Sequence, residues 1–181
     1  RRYYKAACDA KQGKASEAAL HKIENILQQL NVHTDSRAVV APALEKQKAA
    51  GKPAAALQLP DGRIITGKAS ATVLNSLKAL AGIPDEVLLI SQQVLVPLLR
   101  LKIDYLHSRA SVLKVDDVLA GLAMSAATDE TAAKALAALK DLRDCDMHST
   151  QMLHSGDEGT LRKLGVRLTM EPVYPGKDLF F

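Results

Sequence analysis

Three residues, Pro60-Asp61-Gly62, constrain this chain more than any others. They lie between two short apolar runs, 54–59 and 63–66, and that arrangement predicts a β-hairpin. Pro presets the φ of a turn, and Gly accepts the left-handed backbone that closes it. The segments around the hairpin read as helices. Ala19, Leu20, Ile23, Ile26, Leu27 and Leu30 recur at three- and four-residue spacing and form one apolar stripe, and Gly13 divides that N-terminal stretch into two helices. Ser36 is expected to cap a further helix running to about residue 50. Pro42 fits there only if the first turn begins near Val40, and Gly51-Lys52-Pro53 ends the helix.

After the hairpin, Val73, Leu74, Leu77 and Leu80 set a helix that Gly82 and Pro84 stop. Residues 86–90 read as a short buried strand. Ser91 caps a helix to about residue 105, with Val94, Leu95, Leu98, Leu99 and Leu101 turned inward and a kink expected at Pro97. Asp116 and Asp117 open another helix, and Asp129 opens an Ala-rich one to about residue 142; together they form a helical hairpin. A strand over 147–153, a helix over 156–164 ended by Gly165, and a strand over 166–170 complete the order. A hairpin followed by helix-separated strands implies an α/β fold whose mixed sheet, of about five strands, carries helices on both faces.

The chain has 181 residues, 48% of them apolar, enough for one buried core with a helical appendage. The expected division is a helical segment over 1–35, continuing from a missing N-terminal part, and an α/β domain over 36–181. Arg1-Arg2-Tyr3-Tyr4 offers neither an initiator Met nor a signal-peptide core, so the chain reads as a piece of a longer protein. Aromatic residues make up 3% and Trp is absent, which leaves no platform for stacking bases. The net charge of +4 is spread among 20 acidic residues, so a mixed solvated surface is expected rather than a nucleic-acid stripe. No apolar run approaches the roughly 20 residues that span a bilayer. Cys8 and Cys145 lie far apart, which argues against a disulfide scaffold and for a reducing cytoplasm.

Three polar clusters stand at the ends of predicted elements, where α/β sheets commonly hold ligands. In the first, strand leads through Thr66-Gly67-Lys68 and Ser70 into a helix. A helix N-terminus offers free N–H groups, Lys68 adds charge, and Gly67 permits close backbone approach. The spacing falls short of a P-loop, which needs Gly-x-x-x-x-Gly-Lys-Ser/Thr. An N-cap Ser after a turn, beside a solvated Lys, explains the same residues. In the second cluster, Asp104, His107, Ser108 and Arg109 close a helix, where the dipole alone favours His and Arg. There Arg109 could instead grip a carboxylate or phosphate, and His107 move protons. In the third, His148, Ser149 and Thr150 lie in a strand flanked by Met147, Met152 and Leu153, where polar groups need partners if buried.

Several blocks, in order, carry a family resemblance: Arg1-Arg2-Tyr3-Tyr4, Ile64-Ile65-Thr66-Gly67-Lys68, Leu101-Lys102-Ile103-Asp104-Tyr105-Leu106, Met147-His148-Ser149-Thr150 and Leu161-Arg162-Lys163-Leu164-Gly165-Val166. The chain resembles the C-terminal region of the bacterial family called domain of unknown function 1846. The resemblance implies a longer parent and a three-layer αβα subdomain of cytidine-deaminase-like topology, but no activity. Between Lys68 and Val73 family members usually have several more residues, rich in Gly and Ala, than Ala69-Ser70-Ala71-Thr72.

Deaminase chemistry would need His-x-Glu or Cys-x-Glu and a later Pro-Cys-x-x-Cys, and neither occurs. Cys145 and His148 lack further zinc ligands, and His148-Ser149-Thr150 puts Thr where an isopeptidase-type metalloprotease has its second His. No metal is expected and no cofactor is named. One expectation is a single cleft in which Thr66, Gly67, Lys68, Ser70, Arg109, Ser149 and Thr150 hold an anionic small molecule (a phosphate, nucleotide or carboxylate), with Asp104 nearby and His107 or His148 as acid or base. The alternative is a structural or oligomerisation module that packs, through helices 2–30 and 116–142, on its own N-terminal part or on a sister subunit.

Overall fold

The structure, a computed structural model, describes residues 1–108 and 113–175. The hairpin forms as expected, with β1 (Ala55–Gln58) antiparallel to β2 (Ile64–Gly67). Asp61 builds its turn by accepting the Arg63 N–H on Oδ1 at 3.0 Å, and Gly62 takes φ +88°, which a side chain would resist. β1 also pairs antiparallel with β3 (Asp146–Ser149), and β3 pairs parallel with β4 (Arg167–Met170), giving the order β2-β1-β3-β4. The parallel pair is bridged by α8 (Ser155–Lys163), as a parallel connection requires.

Four strands, not five, make up the sheet among the described residues. Residues 86–90 form turns and bends, yet Leu89 and Ile90 are buried. An apolar run without alternation shows only that its side chains are buried, and here the covering is supplied by packing, with Ile90 lying against Gly121.

Helices cover both faces because successive strand residues point to opposite sides. Ala55, Leu57, Met147, Leu168 and Met170 join the main core with Val73 and Leu77 of α4 (Ala69–Leu80), Val118 and Leu122 of α6 (Val115–Ala126), Ala135 of α7 (Glu130–Ala137) and Leu161 of α8. On the other face Ala56 and Ile64 pack with Val39 and with Ala43 of α3 (Val40–Ala50). Pro42 is the third residue of α3, where its missing N–H deprives the helix of no bond. Ser36 does not cap α3: it lies in a 3-10 turn, Thr34–Ser36, and Val39 holds the cap position.

The N-terminal stretch divides at Gly13 into α1 (Arg2–Lys11) and α2 (Glu17–Gln29). Helix α1 buries Tyr4, Ala7 and Cys8 and packs on β4, whereas α2 buries no residue, contrary to its apolar spacing. α5 (Gln92–Arg100) likewise buries none and passes Pro97 into a π-helical turn, Leu101–Tyr105. Leu101, expected inward, is exposed. Helices α6 and α7 pack as the expected hairpin, and Asp129 caps α7 through the N–H groups of Thr131 and Ala132 at 2.7 and 3.2 Å.

Candidate functional site

One rung crosses the whole sheet: Gly67, Ala55, Ser149 and Met170 are successive partners. The residues just beyond it, Lys68, Ala54, Thr150 and Glu171, therefore form one edge, at the carboxyl ends of β2, β3 and β4. Strand spacing of about 4.8 Å puts Gly67 and Ser149 about 10 Å apart. Thus Thr66, Gly67 and Lys68 of β2 and His148, Ser149 and Thr150 of β3 come from the two strands that flank β1. Helix α4 starts directly after the exposed Lys68, and no side chain caps its first turn. Ser70, half-buried, sits inside that turn. A Cβ on Gly67 would meet Thr72 Oγ1 at 3.3 Å, so the small residue lets the strand end lie close against α4.

Strand alternation separates the third cluster. Ser149 faces the main core, and its hydroxyl donates to the Gln151 carbonyl at 2.8 Å. The Thr150 Oγ1 accepts from the Ala54 N–H at 3.0 Å and ties the ends of β1 and β3 together. His148 points the other way and is 0% exposed. Its Nε2 lies 3.1 Å from Glu171 Oε1, its Nδ1 2.9 Å from Thr169 Oγ1, and its ring 4.9 Å from that of Tyr4. A carboxylate only accepts, so Nε2–H donates to Glu171, while the single Thr169 hydroxyl proton has two acceptors within reach, His148 Nδ1 and the Met147 carbonyl at 3.3 Å. Arg37 donates to Thr169 Oγ1 as well, to Asp146 Oδ1 at 2.7 Å and to the Arg167 carbonyl at 3.0 Å. Tyr4 donates to the Thr34 carbonyl at 3.2 Å, and burial, reinforced by Glu171, pushes its phenol up to about 12.

Of this network, sequence reasoning found only His148. Thr169 and Glu171 sit at alternate positions on the polar side of an otherwise apolar strand end, a signal of period two. Nothing in the sequence around Arg37 or Tyr4 marks their partners, which are remote along the chain.

The second cluster is carried by the turn that follows α5. Asp104 and His107 are exposed, and His107 ends the π-helical turn with φ +48°. Arg109 lies outside the described residues. From this turn the buried Lys102 donates to Asp117, which caps α6 through the Lys114 N–H at 2.8 Å. Val115 N–H in turn donates to Asp157 Oδ1 of α8 at 2.8 Å. Burial raises the Asp157 carboxyl above its usual range, against the opposing pull of that N–H. The turn is thereby linked to α8, which follows β3.

Two shallow cavities open elsewhere. One of about 430 Å³ lies between α1, α2 and the 3-10 turn, lined by Tyr3, Glu24, Val32 and Asp35 among others. The second, about 320 Å³, lies at the opposite end of the sheet near Asp146 and Arg167. Neither is lined by Lys68, His107 or His148. Among the described residues no three His, Cys, Asp or Glu side chains converge on a metal position, and no helix is long and apolar enough to cross a membrane.

Residues 35–180 match the family description "Domain of unknown function DUF1846, C-terminal". The chain is 42% identical over 187 residues to a UPF0371 protein of Corynebacterium glutamicum (strain R), covering 99% of this chain and 38% of that protein. It is 38% identical over 196 residues to a UPF0371 protein of Clostridium tetani, with 100% and 39% covered, and 39% identical over 187 residues to one of Streptococcus sanguinis, with 99% and 38% covered. The chain thus spans about two fifths of the length of these curated relatives. An alignment of 196 positions against 181 residues also means that the clostridial protein carries residues this chain lacks.

Proposed function

The chain belongs to the family of the domain of unknown function DUF1846, whose C-terminal part it matches, and from that premise we propose that the carboxyl edge of its sheet holds the anionic group of a small molecule. The observation that carries the reading is the β2–α4 junction. There a helix begins without a side-chain cap directly after Gly67 and an exposed Lys68. Its first-turn amides and dipole favour negative charge, and the ammonium adds to them. Ser70 supplies a hydroxyl in the same turn. Thr150 ties the end of β3 to the start of β1, and Thr66 and Ser149 stand at the ends of the strands on either side of β1. His148, buried and paired on both nitrogens, serves to position the strand end beside Thr150. Asp104, His107 and Arg109 enter only if the helix-end turn contributes to the same edge, with His107 as the acid or base.

The order β2-β1-β3-β4 with an antiparallel hairpin supports a cytidine-deaminase-like reading of the sheet. The start of the family match at residue 35 favours 36–181 as the αβα unit and 1–35 as a helical segment that continues from a preceding part and packs on β4 through α1. Two buried free cysteines, with both thiols pushed up by burial, fit a reducing cytoplasm.

Thermal-shift titration of the full-length protein with inorganic phosphate, AMP and citrate tests the site. A ligand present at about a hundred times its Kd stabilises the native state by about 2.7 kcal/mol. At least one probe should raise Tm in the millimolar range, and Lys68→Ala should abolish the rise. No shift with any probe, or a shift that survives Lys68→Ala, overturns the assignment. The interaction-module alternative is favoured by one observation, the uncovered apolar side of α2.

A further inference from the structure

Helix α2 is amphipathic in sequence and yet buries nothing. Around its circumference Leu20, Ile23 and Leu27 lie on one flank, half-covered, and α1 is the helix packed against it. On the adjoining flank Ala19, Ile26 and Leu30 face outward, with Ile26 52% and Leu30 66% exposed. Ile26 and Leu30 stack on successive turns, and Ala19 lies on the same flank two turns earlier. Val32, 43% exposed, extends this strip to the mouth of the 430 Å³ cavity, which carries the carboxylates of Asp35 and of Glu24, the latter 2.9 Å from His21 Nδ1, together with His33 and the ring of Tyr3. A thirteen-residue helix in water draws most of its stability from the packing of its apolar side, and here half of that side has no cover.

The family match starts at residue 35, after α2. The relatives nevertheless align over 99% or more of the chain, so they retain the α1–α2 segment. More than half of each relative lies outside the alignment, and the matched family part is described as C-terminal. The α1–α2 segment therefore stands where the C-terminal domain meets what precedes it in those proteins. We infer that the strip Ala19, Ile26, Leu30 and Val32 is the seat of the preceding region of the full-length protein, and that the adjacent acidic cavity receives a basic side chain from it.

Size decides between this occupant and a second copy. Four side chains on and just after one helix supply a few hundred square ångströms, well short of the roughly 800 Å² per partner of a stable association between separate chains. A tethered region needs no such area, because its effective concentration is on the order of millimolar. Carboxylates beside an aromatic ring suit Lys or Arg through charge and cation–π contact.

Thiol labelling of the full-length protein tests this. Leu30→Cys places a probe on the strip, and Asn25→Cys places one on the exposed opposite side of α2. The unsubstituted full-length protein sets the baseline; Cys8 and Cys145 are buried and add little to it. Leu30→Cys should react at least about tenfold more slowly than Asn25→Cys, the protection expected of a docked surface. Its rate should not change on hundredfold dilution. Equal rates at the two positions overturn the proposal. So does protection lost on dilution, which would assign the strip to a second copy.

Discussion

Replacing His148 with Ala tests the most densely bonded part of the structure. The imidazole is fully buried, lies tilted against the Tyr4 ring at 4.9 Å, and bridges Thr169 and Glu171 at 2.9 and 3.1 Å. Deleting a ring from a closed site leaves a cavity, and large-to-small changes of that kind remove about 2–5 kcal/mol. Two hydrogen bonds disappear as well, one of them to a carboxylate, each nominally worth about 0.5–3 kcal/mol. These do not add in full. Thr169 keeps Arg37 and the Met147 carbonyl at 3.3 Å, and Glu171 is exposed enough to be rehydrated. The net expectation is a loss of about 3–4 kcal/mol. Glu171→Gln, which keeps an acceptor for Nε2–H, should lose about 1 kcal/mol or less. Urea unfolding at pH 7, followed by far-ultraviolet circular dichroism on both variants, gives the comparison. A His148→Ala protein as stable as the parent, or more so, would refute the reasoning. It would mark His148 as a group held against stability for some chemistry of its own.

Tyr4→Phe should lower stability by about 1 kcal/mol at pH 7 through the bond to Thr34. The folded phenol is raised to about 12 from an ordinary value near 10, so its contribution is whole below pH 10 and is lost as pH rises toward 12. Urea midpoints taken from pH 8 to 11 should therefore converge for parent and variant above pH 10, and parallel curves would contradict the burial of Tyr4. Gly165→Ala should destabilise by more than about 1 kcal/mol, since Gly165 has φ +81° and an added Cβ would sit 3.1 Å from Arg143 Cγ. A Tm within a degree of the parent's would show that the turn before β4 relaxes freely.

Local chemistry made much of this fold legible. The Pro60-Asp61-Gly62 turn marked the hairpin, Asp129 the start of α7, and Gly13 the break between α1 and α2, because each acts through its own backbone or its immediate neighbours. Residues 86–90 misread as a strand because burial of Leu89 and Ile90 has the same sequence signature whether or not a ladder forms. The stripe of α2 was legible as apolar but its lack of cover was not, because periodicity tells which side of a helix is apolar, not what lies against it. At the candidate site, the placing of Lys68 and Thr150 on one edge depends on both β2 and β3 pairing with β1. The enclosure of His148 depends on Tyr4, Arg37 and Thr169, brought in from three separate segments. No window of sequence holds those relations.

The pairing of β1 with β3 also sets the order in which the sheet can assemble. Its closing bond joins Thr150 to Ala54, 96 positions apart, whereas β1 meets β2 across one tight turn. The hairpin can close within microseconds, but β3 must wait until α4 to α7 have drawn the chain back. During that interval one edge of β1, lined by Ala55, Ala56 and Leu57, is open to any other strand. Refolding yield should therefore fall with protein concentration far more steeply than native stability would suggest, because the vulnerable species is the half-built sheet.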